Sequence, residues 1–205
     1  MKNSVARWSV VMGAFLACAV SSSFGSYVYD NFEAYSGAIN GNGWGGSASV
    51  TAQTAVVHWG AKAAELPVSS VLSNSVNAGA GATNVWSDFW TVPRFYVSDT
   101  GGGPAADTNA TAQFYIASNG LWTVISREGG VIVTQAISTN VYGASIGARS
   151  EVTNFIHVSV YHNYSSKKWS LFVEGTPIAT NLGFINSSAT SYNWFNVQNG
   201  GGDKA

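Results

Sequence analysis

Three histidines, ten acids and one cysteine are the residues of this 205-residue chain best suited to catalysis or metal binding. Their spacing offers little. Hydrolysis by paired carboxylates needs two acids on the order of 5 Å apart, most simply as alternate residues on one strand face. Asp30 and Glu33 are the acids closest in sequence, and their odd separation sends them to opposite faces of a strand. Glu128, Glu151 and Glu174 stand singly beside Gly or Ser, as turn residues do. His58 precedes Trp59 near a turn at Gly60, while His157 and His162 share a strand at odd spacing. A zinc site needs three or four ligands on a fixed tetrahedron, and no His-x-His or His-Glu-x-x-His occurs. The Gly-rich loops do not precede helical patterns, so a phosphate would find no helix N-terminus. No catalytic residue is assigned on these grounds.

Oxygen-bearing turns and aromatic rings remain. Asp30, Asn31 and Glu33 are candidate calcium ligands, as are Asp99 and Asp107 around Gly101-Gly102-Gly103. The competing reading is turn chemistry, in which Asp and Asn bond their own backbone. Eight Trp, nine Tyr and ten Phe exceed what a small core requires. Sugar rings stack their C–H faces on indole and phenol, and their hydroxyls bond amides and acids. Trp44 with Asn42, Trp122 with Asn119, and Tyr164 at a hairpin tip are the candidate ligand-binding residues. For each, packing beneath a loop is the rival role. Trp86, Trp90 and Trp169 alternate within strands and are assigned to the core.

The elements that position these residues read as strands. Tyr27–Glu33, Val56–Trp59 and Ala63–Val68 are short strand candidates, and Asn84–Val92 is a stronger one. Ala112–Ala117 and Leu121–Ile125 flank Ser118-Asn119-Gly120, a hairpin signal. Glu128-Gly129-Gly130 and Glu174-Gly175 are further turns, and Asn163–Ser166 joins Phe155–His162 to Lys167–Val173. No segment sustains a helical period. Only 9% of residues are charged, which argues against helical bundles and leaves no basic stripe for nucleic acid.

The N-terminus has the pattern of a secretory signal. Lys2 and Arg7 form a basic region, Trp8 to Val20 is apolar, and Ser21 to Gly25 is a small-residue region. Cleavage after Gly25 leaves a domain at 26–205, more acidic by two charges than the formal −1 of the whole chain. The apolar run is shorter than the ~20 residues that span a bilayer, so no transmembrane segment is expected after processing. Phe15-Leu16-Ala17-Cys18 resembles a lipobox, which would anchor the chain through Cys18; the simpler reading makes Cys18 one apolar residue of the signal.

Asp30-Asn31-Phe32-Glu33-Ala34-Tyr35 with the Gly41–Trp44 loop resembles the opening of secreted bacterial concanavalin A-like, or laminin G-like, jelly-roll domains. Val85-Trp86-Ser87-Asp88-Phe89-Trp90 resembles their second signature strand. Ile156–Tyr161 followed by Lys168-Trp169-Ser170-Leu171-Phe172-Val173-Glu174-Gly175 is similar to their strand–hairpin–W-x-L-Y-V-x-G signature, with Phe172 in place of Tyr. The resemblance implies an all-β, two-sheet antiparallel jelly-roll sandwich. It also implies a last strand beyond Asn199, approached at Asp203 and lacking here, which leaves the first strand as an edge. Glucanases of this fold carry Glu-x-Asp-x-Glu, and this chain has no such run. The expected function is a secreted, non-catalytic module binding carbohydrate or a cell-surface partner. A structural domain of an adhesin-like protein and a divergent glycoside hydrolase are the alternatives.

Overall fold

A computed structural model describes residues 30–76, 81–92, 94–95, 103–117, 120–137, 150–151 and 155–200. The signal region with Cys18, residues 27–29, Asp99, Asn119 and Asp203 lie outside them. The described residues contain strands and no helix, and every ladder between strands is antiparallel. The strands are β1 (Gly37–Ala38), β2 (Trp44–Gly46), β3 (Thr51–Gln53), β4 (Ala63–Glu65), β5 (Ser70–Ser75), β6 (Asn84–Thr91), β7 (Arg94–Phe95), β8 (Gln113–Ile116), β9 (Trp122–Glu128), β10 (Val131–Ala136), β11 (Ser150–Glu151), β12 (Ile156–Asn163), β13 (Lys168–Val173), β14 (Thr176–Gly183) and β15 (Trp194–Asn199). The largest sheet has the order β14-β13-β12-β6. Three-stranded sheets β10-β9-β8, β15-β5-β2 and β1-β3-β4 and the pair β11-β7 complete the set, and no sheet closes into a barrel.

The turn chemistry of the sequence sets the pairing. Gly129-Gly130 and Glu174-Gly175 both hold two successive positive φ angles, the conformation of tight hairpin loops whose twist matches the strands. They join β9 to β10 and β13 to β14. Gly120 donates its N–H to the Ala117 carbonyl at 2.8 Å in the β8–β9 turn. Asn163 Oδ1 accepts the Ser166 N–H at 2.9 Å in the β12–β13 turn.

Two strand expectations give way to local side-chain bonding. Asp30–Glu33 is a turn: Asp30 Oδ1 accepts the Phe32 N–H at 2.7 Å and Asn31 Oδ1 accepts that of Glu33 at 3.2 Å. Such bonds offer the backbone an alternative to a ladder. Val56–Trp59 is a bend, begun by Gln53 Oε1, which accepts the N–H groups of Ala55 and Val56.

The core lies on one face of the largest sheet. Val85, Ser87, Phe89 and Thr91 of β6 are buried, as are Ile156, Val158, Val160 and His162 of β12 and Trp169, Leu171 and Val173 of β13. Other sheets close over them. The Phe89 ring lies 6.4 Å from Phe114 of β8 and 5.8 Å from Phe195 of β15, and Phe114 lies 5.9 Å from Trp122 of β9. The result is a sandwich-like packing of antiparallel sheets.

At Gly183, β14 meets β9 without room for a side chain. A Cβ there would sit 2.0 Å from the Arg127 carbonyl oxygen. The junction is bonded on both sides: Arg127 Nε donates to the Ile185 carbonyl at 2.9 Å, and Gly183 N–H to Glu128 Oε1 at 3.2 Å. Gly183→Ala must therefore push the two strands apart. The expected loss is about 1–3 kcal/mol, read as a lower urea midpoint at unchanged slope.

Candidate functional site

The residues between the core positions project from the opposite face of the same sheet. Trp86, Asp88 and Trp90 of β6 stand opposite Tyr161, Ser159 and His157 of β12. Phe172 of β13 stands opposite Ser159. The rings are half-buried, so each retains contact with solvent.

They form two aromatic groups about a polar centre. Trp90 is stacked between two imidazoles, with His58 at 4.0 Å and His157 at 4.7 Å between ring centroids. His58 comes from the bend before β4 and also meets the edge of Phe155. Trp86 lies 4.9 Å from Tyr161 and 5.3 Å from Phe172. The Tyr161 hydroxyl donates to Asn84 Oδ1 at 2.6 Å, which turns an amide toward the same end of the face.

Asp88 occupies the centre. Its Oδ1 accepts the Ser159 hydroxyl at 2.5 Å and lies 3.2 Å from His157 Nε2. The backbone at His157 is fixed by Glu174, whose Oε1 accepts the His157 N–H at 2.6 Å. The Asp88 and His157 side chains keep 20% and 30% of their exposure. Serine, histidine and aspartate together invite comparison with a nucleophilic relay. In that relay the histidine uses one ring nitrogen for the serine and the other for the acid. Here Nε2 faces both, Ser159 Oγ lies 3.4 Å from it, and the serine proton goes directly to Asp88. The geometry is therefore not that of the relay, because a single ring nitrogen faces both partners.

The predicted ligand residues are placed differently. Trp44 is 4% exposed, Trp122 1% and Tyr164 4%, so none offers a free ring face. Burial and the adjacent Asp30 raise the Tyr35 phenol to about 12, and burial also pushes Tyr164 to about 12. Asn42 is exposed and donates to the Ala38 carbonyl at 3.4 Å, but the ring expected beside it points inward. Gly-flanked loops here fold over their aromatic residue, which gains more from burial than from exposure.

The predicted calcium oxygens are engaged by donors. Asp30 Oδ2 accepts the Trp44 indole N–H at 2.6 Å and the Tyr35 hydroxyl. Glu33 Oε1 accepts the N–H groups of Ala61 and Lys62. Among the described residues no group of three or more His, Cys, Asp or Glu could hold a metal ion. The trio instead ties the first turn to the loop before β4, with Lys62 Nζ donating to the Glu33 and Tyr35 carbonyls.

Trp86 and Trp90 are corrected from core to this open face; Trp169 is core, fully buried. The signal was parity. Both share it with Asp88, whereas the alternate set holds Val85, Ser87, Phe89 and Thr91 without a charge. A carboxylate marks the wetter face. The sequence Gly143-Ala144-Ser145-Ile146-Gly147 also has the spacing of a Gly-x-Ser-x-Gly elbow. It lies outside the described residues, among which no helix supplies the strand–turn–helix setting of that motif. No protein-family model, no curated protein and no solved structure matches the chain.

Proposed function

We propose that this chain is a secreted, non-catalytic jelly-roll module of the concanavalin A-like kind, and that it binds carbohydrate through the open face of β6, β12 and β13. One observation carries the reading: half-buried indole, phenol and phenyl rings alternate there with a carboxylate, an imidazole and an amide. Flat rings take the C–H face of a pyranose, and the polar groups between them take its hydroxyls. Absence of catalysis follows from the acids. The sequence has no Glu-x-Asp-x-Glu run, the arrangement by which glucanases of this fold supply their two carboxylates. The N-terminal basic, apolar and small-residue regions support export, and N-terminal sequencing of exported protein should begin near Ser26.

The test is a titration of the processed protein against a glycan panel, followed by tryptophan fluorescence. Trp86→Ala should weaken binding about tenfold or more, whereas Trp90 is enclosed by His58 and His157 and offers no free face. Comparison per folded molecule separates this from lost stability. Undiminished affinity in this variant would place the glycan elsewhere.

A further inference from the structure

Resting on that glycan-binding reading, we propose that the face selects amino sugars carrying protonated amines. Trp86 and Trp90 lie four residues apart on one strand, a separation of ~13 Å with Asp88 midway. Both faces of Trp90 are taken by His58 and His157, which leaves the Trp86 end of the face for a sugar ring. Asp88 Oδ1 is taken by Ser159 and faces His157, whereas Oδ2 accepts no hydrogen bond from the described residues. No lysine or arginine whose side chain is described pairs with this carboxylate. Lys168 shares the face but stands opposite Asn163, with the Tyr161–Ser170 pair between it and the Ser159–Phe172 pair. Glu174 adds a second acid where His157 is anchored.

The rings reinforce this choice. An aromatic face carries negative potential and attracts a cation above it. An ammonium seated at Asp88 gains from the unshared oxygen and from the Trp86 indole on one side. A neutral sugar gains only stacking and hydroxyl bonds, and an anionic sugar is repelled.

Soluble oligomers of glucosamine, N-acetylglucosamine, glucose and a uronic acid, matched in length, are titrated by calorimetry at low and high salt. Glucosamine oligomers should bind about tenfold or more tightly than glucose oligomers. That preference should shrink with added salt, as screening demands. Asp88→Asn retains an oxygen for the Ser159 hydroxyl, and in it the glucosamine-to-glucose ratio should fall to near one. Should it fail to fold, the salt dependence of the unaltered protein carries the test. Equal binding of all four oligomers, weakened by Trp86→Ala, would overturn the amine preference and leave the glycan reading standing. Binding of none would overturn both.

Discussion

Trp44→Ala lowers the stability of the domain by about 3–5 kcal/mol, the loss expected for a large buried aromatic. Its ring packs 5.5 Å from that of Phe32, which is fully buried at a φ of 62°. Its indole N–H ends on Asp30 Oδ2, which also takes the Tyr35 hydroxyl, while Oδ1 holds the Phe32 N–H. One carboxylate thus pins the Phe32 turn, the Tyr35 phenol and the first residue of β2. Asp30→Ala strands these donors and should itself cost about 2–4 kcal/mol. Trp44→Phe keeps most of the ring but deletes the N–H, so its loss should be the smallest. In the Trp44→Phe, Asp30→Ala double variant the losses should fall short of additivity, because both remove one bond. Urea unfolding measures all four. Additive losses, or a Trp44→Ala cost under about 1 kcal/mol, would dissolve this hub.

Acid should unfold the domain through His162. Burial drives this imidazole from its ordinary 6.5 to about 3. Its neighbours are the rings of Tyr164, Phe184 and Tyr192, with Thr111 Oγ1 3.3 Å from Nδ1. The unfolded chain takes up the proton below 6.5, whereas the native ring stays neutral until about 3. Between those values the unfolded state binds more protons, so stability falls as pH falls. The slope approaches ~1.4 kcal/mol per pH unit, and the contribution is whole above 6.5. Urea midpoints from neutral to acidic pH measure it. His162→Phe should flatten this dependence, and a variant that retains the full slope would assign it to other groups.

The hairpins were legible because their turns are written in Gly and Asn. Gly129-Gly130, Gly175 and Asn163 stand where the chain reverses. The opposite faces of His157 and His162 followed from odd spacing, since β12 runs without interruption between them. The site was harder to read. Trp44 in its glycine loop has the composition of an exposed platform, and its burial depends on Asp30, fourteen residues earlier. Likewise, the pairing of Trp90 with His157 depends on the register of β6 against β12, which joins residues far apart in sequence. Composition also could not tell Trp169 from Trp86; their strands fix which way each indole points.

The strict division of labour along β6 and β12 has a bearing on how such a protein could change its partner. Positions 85, 87, 89 and 91, with 156, 158, 160 and 162, hold the interior, while 86, 88, 90, 157, 159 and 161 lie on the opposite face, half-buried except for Ser159, which is buried. On the proposed reading, recognition can therefore be rewritten by varying every second residue, leaving the fold's own determinants untouched. The exception is any insertion or deletion inside either strand, which would exchange the two sets at a stroke. A combinatorial library restricted to those six codons should yield mostly folded proteins with altered sugar preference. The same number of changes on the alternate positions should yield mostly unfolded ones.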